Sequence, residues 1–296
     1  MFLINSKKNQ IILFFRRLFK EKPLGFVCAI LTFFFIFVGL FADLLAPYGM
    51  NETDLEYFLS EPSRVHLMGT DNLGRDILTR IIYGARISII IGFGASLGAT
   101  LLSLIIGVIS GYVGGKVDLM IQRLVDAWMC FPGLILLLVL MSVFGIGILQ
   151  IIIVLSLRWG FSGSRIIRGA VISLKENFYI KASVSVGCST SRIILKHIIP
   201  NLMAPTIILF TTRVPDIIMT EAALSFLGFG IPPPDPTWGG MLSGSARQYM
   251  VRAPWMVIWP GLALGVVVYC INMFGDALRD ILDPKLKGVA GKFDAS

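Results

Sequence analysis

Charge is scarce in this sequence. Only 15% of its 296 residues are Asp, Glu, Lys or Arg, whereas 55% are hydrophobic and the mean hydropathy is +0.80. A soluble globule of this length needs more polar surface, so the chain reads as an integral membrane protein. Cysteine is scarce as well. Cys28, Cys130, Cys188 and Cys270 are scattered, three of them in apolar runs, and their spacing supports neither a disulfide framework nor a metal site. The two histidines, His66 and His197, have no second ligand near them, which argues against a metal centre or a catalytic base. A phosphate-binding loop is missing. The nearest approach, Ser110-Gly111-Tyr112-Val113-Gly114-Gly115-Lys116-Val117, lacks the motif's first glycine and has valine where a magnesium-binding hydroxyl is needed. Low-complexity segments and internal repeats are not found either.

The charges that remain are mostly basic, giving a net charge of +8. They cluster at the ends of apolar runs, as orientation signals do, so nucleic acid is not the expected partner; the lipid bilayer is. Residues 1–23 carry Lys7, Lys8, Arg16, Arg17, Lys20 and Lys22 and read as a cytoplasmic segment. Residues 24–45 are long enough to span, and longer than the core of a cleaved signal peptide. A polar extracytoplasmic loop, 46–86, follows with an amphipathic lead-in helix. Ile87 to Gly115 is uncharged and makes the second span. Ala127 to Leu157 is uncharged but too long for one helix, and Gly145-Ile146-Gly147 offers a break between spans three and four. Seven basic residues from Arg158 to Lys196 against the single Glu176 place the next loop, 164–201, in the cytosol. Span five covers about 202–228, an outer loop 229–253 begins with a proline run, and span six covers 254–275. A cytoplasmic tail, 276–296, ends the chain, with Lys285 and Lys287 near the membrane. The expected fold is all-α, with five spans in a core of 87–275 and both termini inside.

The segment from Phe178 to Asn201 is unusual among these runs because it is polar, basic and still helical in pattern. Ile180 with Val184, and Ile194 with Ile198, recur at helical spacing, and Gly187 between them suits a helix stop. Ser189-Thr190-Ser191 can cap the second helix. A helix-turn-helix held on one face of a membrane bundle is expected to touch something in the water.

The same segment resembles the cytoplasmic "EAA" loop of the permease subunits of bacterial ABC importers, with Ala182, Gly187 and the closing Ile199-Pro200-Asn201 in matching places. Four further stretches resemble the dipeptide, oligopeptide and nickel permease family. They are Met68 to Asp76 with Tyr83 to Ser88, Glu221 to Gly228, Trp238 to Leu242, and Asn272 to Asp280. Together they cover nearly the whole chain. The resemblance implies a type I permease fold with a coupling helix pair, and alternating access driven by ATP. The implied partners are a second, homologous permease, two ATP-binding subunits and an extracytoplasmic substrate-binding protein. This chain would bind no cofactor, ATP and magnesium being used by the partners, and would not itself be an enzyme. Peptides are the implied cargo, with nickel or another small solute as the alternative. The implied location is the bacterial cytoplasmic (inner) membrane.

Residue by residue, Tyr179, Lys181, Ala182, Ser183, Gly187, Pro200 and Asn201 are the expected coupling positions. Lys181 and Ser183 stand where the family has glutamate and alanine, so a charge-specific contact does not carry over there. Gly69, Thr70, Asp71, Gly74, Arg75 and Asp76 have a local reading: Thr70 or Asp71 caps the lead-in helix and Asp71 pairs with Arg75. Contact with a partner is the other reading. Arg213, Asp216 and Glu221 are the charges well inside an apolar run, where an unpaired charge is expensive. Arg213 and Asp216, three apart, pair on one helix face; with Glu221 they are the candidate lining of the translocation path, where the pair would meet peptide termini, the other reading being that the pair only locks helix packing. Trp238, beside Gly239, is read as an interfacial anchor in preference to a docking surface. Asp276, Arg279 and Asp280 belong to the last family stretch. A self-powered secondary transporter would need an ion site and inverted repeats, and an intramembrane enzyme a facing nucleophile and base, none of which the sequence offers.

Overall fold

The computed structural model describes residues 16–282, so Lys7, Lys8, Lys285 and Lys287 lie outside the described residues. Nearly everything within them is helical. The long helices are α1 (Pro23–Leu40), α3 (Ile77–Val113), α4 (Gly115–Cys130), α5 (Gly133–Phe144), α6 (Ile148–Lys175), α9 (Met203–Phe226) and α12 (Trp255–Leu282). Short helices α2 (Ala42–Leu45), α7 (Phe178–Ser185), α8 (Thr190–Asn201), α10 (Trp238–Met241) and α11 (Ser245–Tyr249) fill the connections. Among the described residues, three helices are long and apolar enough to cross a bilayer, and five if each of two bent pairs counts as one span. The one expected crossing not yet counted, span four, falls on α6, whose first ten residues are uncharged and whose remainder carries Arg158, Arg165, Arg168 and Lys175. Helix is forced on these runs because backbone groups in hydrocarbon have no water to bond.

The core is organised by small residues. Gly94, Gly98, Gly107 and Gly111 of α3 meet Ile152, Ser156, Ile167 and Val171 of α6 in that order, so the two helices lie side by side and run the same way. With no side chain on the α3 side of these contacts, the helices approach closely, the usual basis of helix association in lipid. The bent pair α4–α5 returns the chain between them. Helix α9 runs against α3 in the opposite sense: Gly92 lies on Ile218, and Ser96 Oγ donates to the Phe210 carbonyl at 2.7 Å. Helix α12 closes the bundle on α1, where Gly25 touches Ala277.

Several expected boundaries move. The second span has no break at residue 86; Asp76 caps one helix of 37 residues, its carboxylate accepting from Thr79 N at 2.7 Å, so the lead-in and the span are continuous. Neither Thr70 nor Asp71 is that cap. The third span is a pair bent by 95° at Phe131-Pro132, because proline pushes the residue before it into extended backbone, here φ −74°, ψ 135°. The break at Gly145-Ile146-Gly147 is where the sequence puts it, but α6 then continues to Lys175, so Ser164 to Lys175 are helix and not loop. Likewise α12 has no stop at Gly275 and carries Asp276, Arg279 and Asp280 on to Leu282. The first helix stops at Leu40, and α2 follows after Phe41.

Candidate functional site

The 176–201 element is a bracket with one face anchored and the other bare. Ile180, Ile193, Ile198 and Leu202 are buried against Val108 of α3, Ile167 and Val171 of α6, and Leu209 of α9. The opposite face exposes Phe178 at 90%, Val186 at 84%, Leu195 at 64% and Val184 at 56%. Gly187 joins the two short helices at φ +82°, a conformation that costs any residue with a Cβ, and its N–H bonds the Val184 carbonyl at 2.9 Å. Ser189 sits at the N-cap of α8 without a side-chain cap bond; its hydroxyl lies 3.5 Å from that of Ser191. Lys181 pairs with Glu176 at 2.8 Å. That hydrogen bond holds the Glu176 carboxyl below its ordinary value, so the pair persists at neutral pH and is lost only as pH falls through the depressed value. Ser183 bonds back to the Tyr179 carbonyl, and Asn201 to that of His197. Tyr179, Ala182, Gly187 and Pro200 are all solvent-exposed. A five-residue π-helical stretch, Ile194–Ile198, precedes a 57° bend into α9.

The loop motif before α3 is a folded knot. Asp71 accepts from Leu73 N at 2.8 Å and from Arg75 N and Nε at 3.1 and 2.7 Å, giving the expected pair. Asp76, besides capping α3, lies 3.0 Å from Nδ1 of the buried His66. Gly69 packs on Trp255, whose Nε1 donates to the Thr70 carbonyl at 3.0 Å. Arg80, absent from the sequence reading, is buried beside this knot and donates to the Pro234 carbonyl at 3.4 Å, tying it to the proline run. Gly74→Ala would put a methyl 1.7 Å from the Asp54 carbonyl oxygen at φ +72°. We expect that substitution to open residues 46–76 to limited proteolysis. Gly114→Ala, at φ +70° and ψ −162° but with no described atom within 4 Å, is expected to cost about 1–3 kcal/mol from backbone strain alone and leave the cleavage pattern unchanged.

Trp238 corrects an expectation. It is wholly buried, not interfacial: its ring packs on Gly84 and its Nε1 donates to the Ile81 carbonyl at 3.1 Å, so it bolts α10 to α3. An aromatic next to a proline run reads the same in either place, and only the burial separates the two. Gly239 beside it leaves no room for a Cβ against Ala222. Glu221 is buried in the same region, accepting from Ser225 Oγ at 2.6 Å on one oxygen, with no partner for the other among the described residues. Asp280 pairs with Lys22 at 2.6 Å, whereas Asp276 and Arg279 are exposed.

Arg213 and Asp216 face each other at 3.6 Å, an ion pair too long for a hydrogen bond. The structure adds two residues that sequence spacing could not supply. Arg213 lies over the Trp159 ring at 4.4 Å, and Arg158 lies 5.3 Å from the same ring. Side chains that meet across two separate helices leave no local pattern in sequence.

The family described as "Binding-protein-dependent transport system inner membrane component" matches residues 103–288, and the "N-terminal TM domain of oligopeptide transport permease C" matches 11–62. The chain belongs to this permease family. The Dipeptide transport system permease protein DppC of Alkalihalophilus pseudofirmus is 41% identical over 268 residues, covering 90% of this chain and 88% of that one. The Glutathione transport system permease protein GsiD of Shigella flexneri serotype 5b is 41% identical over 275 residues, covering 93% and 90%. In structure, the inward-facing MetNI methionine ABC transporter aligns with TM-score 0.58 at 17% identity, over 70% of this chain and 98% of that one. This permease is thus a multi-pass inner-membrane component of an ABC importer with the type I fold, and the resemblance carried by its motifs holds.

Proposed function

We propose that this permease moves short peptides into the cytosol by alternating access, powered by ATP-binding subunits that seat on the bare face of α7 and α8. The observation that carries the reading is that face: an exposed apolar patch on an element whose other side is locked into three long helices. A push on α7 and α8 then reaches α9 through one bend rather than through a slack loop. A second, similar permease would complete the path, an extracytoplasmic binding protein would deliver cargo to the outer loops, and both termini would be cytosolic. ATP and magnesium would be handled by the partners. Relatives named for dipeptide and glutathione transport support peptide cargo over nickel.

The test is reconstitution of the co-purified complex in proteoliposomes with radiolabelled dialanine. ATP-dependent uptake is expected, and Gly187→Pro, which cannot reach φ +82°, is expected to lower it at least tenfold while the chain still inserts. Uptake by the chain alone without ATP would overturn the coupling role. ATP-dependent uptake of nickel but not of peptide would overturn the cargo.

A further inference from the structure

A cleft of about 280 Å³ lies where α5, α6 and α9 meet, lined by Leu134, Leu137, Arg158, Trp159, Met219 and Thr220, with Gly133 and Ala223 at its edge. Its walls are apolar except at one corner. There Trp159 carries a guanidinium against its ring from its own helix and another from α9. Asp216 is the single carboxylate within ion-pair distance of either arginine among the described residues, and it reaches Arg213 only, at 3.6 Å. The corner therefore holds two positive charges against one negative.

Depth makes that excess costly. Arg158 is ten residues into α6 and Arg213 ten residues into α9, about 15 Å along each helix. In a hydrocarbon layer of about 30 Å both sit near the middle, beyond the reach of lipid phosphates. A surplus cation there calls for an anion or for water. Two buried donors also lack acceptors: Arg213 Nε and Trp159 Nε1. Buried N–H groups are rarely left unpaired, so both mark this corner as short of acceptors among the described residues. Gly133 contributes by its size, since a Cβ there would come 2.8 Å from Arg158 Nη2 and push the guanidinium aside.

We propose that Arg158, Arg213 and Trp159 form a carboxylate-binding station that takes the C-terminus of a short peptide during translocation. Arg158, which lines the cleft, supplies charge-assisted hydrogen bonds, and Arg213 adds its positive charge from across the Trp159 ring while the apolar walls take a side chain. The cleft is near the lower bound of roughly 300 Å³ for small-ligand sites, room for a terminal residue and not for a long chain. This inference rests on the peptide reading above and adds to it the chemical group recognised and the residues that recognise it.

The test uses the purified complex with its partners but without binding protein, so that the binding protein's own selectivity is out of play. Dialanine and dialanine amide are titrated while intrinsic fluorescence is read, with the Trp159→Phe complex as the background. Dialanine is expected to change the Trp159 signal saturably and the amide to need at least tenfold higher concentration. Arg158→Gln should erase that preference, and Arg158→Lys, which keeps the charge and guards against misfolding of the first variant, should retain most of it. A Trp159 signal that does not respond to dialanine, in a complex that still takes up dialanine with ATP, would overturn the station and leave the peptide reading intact. So would acid and amide acting alike. Loss of both uptake and binding would overturn the peptide reading, and the station with it.

Discussion

Phe178→Asp together with Val186→Asp is expected to abolish ATP-driven uptake while leaving the permease folded and inserted. Both side chains are almost fully exposed, so neither contributes to packing within this chain, and replacing them costs the fold little. The buried side of the same element, Ile180, Ile193 and Ile198, is untouched. What would be lost is an aromatic and an aliphatic contact on the proposed docking face, and two carboxylates would have to be desolvated for a partner to seat. Central anchors of interfaces are each worth about 2 kcal/mol, so the double change, about 4 kcal/mol in all, should weaken subunit association several-hundredfold. Co-purification of ATP-binding subunits in mild detergent measures it directly. Phe178→Leu, which keeps an apolar contact, should retain most of the association. If the double variant still brings down its ATPase and transports normally, the bare face is not the docking surface.

Trp238→Ala is expected to have the largest effect on stability. The ring is fully buried among Ala85 of α3, Ala222 of α9 and Leu264 of α12, so its removal opens a cavity where three long helices meet. Truncating a buried aromatic costs about 3–5 kcal/mol. The loss of the bond to the Ile81 carbonyl adds to this. Trp238→Phe keeps most of the volume and should cost about 1 kcal/mol beyond the small space it leaves. Thermal unfolding in detergent, followed by aggregation or by thiol labelling of the buried Cys28 and Cys270, separates the two variants. An interfacial tryptophan would behave otherwise: its replacement by alanine would change lipid dependence and leave the midpoint in detergent nearly fixed.

The contrast between these residues shows what a linear reading can reach. Phe178 to Asn201 stood out because its local signals agree: helical spacing of Ile180 and Val184, a glycine stop, and a basic charge bias all fall within two dozen residues. The Asp71–Arg75 and Arg213–Asp216 pairs were accessible for the same reason, being one helical turn or one tight turn apart. The continuity of α3 through residue 86 was not, because Arg80 and Arg86 look like the polar end of a span. Tertiary contacts provide for both charges, Arg80 at the Pro234 carbonyl and Arg86 at Asp43, 2.8 Å away. The Arg86 guanidinium holds the Asp43 carboxyl below its usual value, which keeps that pair charged at neutral pH.

By itself, then, the sequence determined the membrane class, the order of apolar runs and the polar helix pair, since each depends on composition or on neighbours within a few turns. The burial of Trp238, the bare and anchored faces of α7 and α8, and the meeting of Arg158 and Trp159 with Arg213 were decided by tertiary structure alone. In each, residues far apart in the chain, 157 positions for Trp238 and Ile81, come into contact because separate helices pack against one another. That packing is a property of paired surfaces, and a single run of residues carries only half of it.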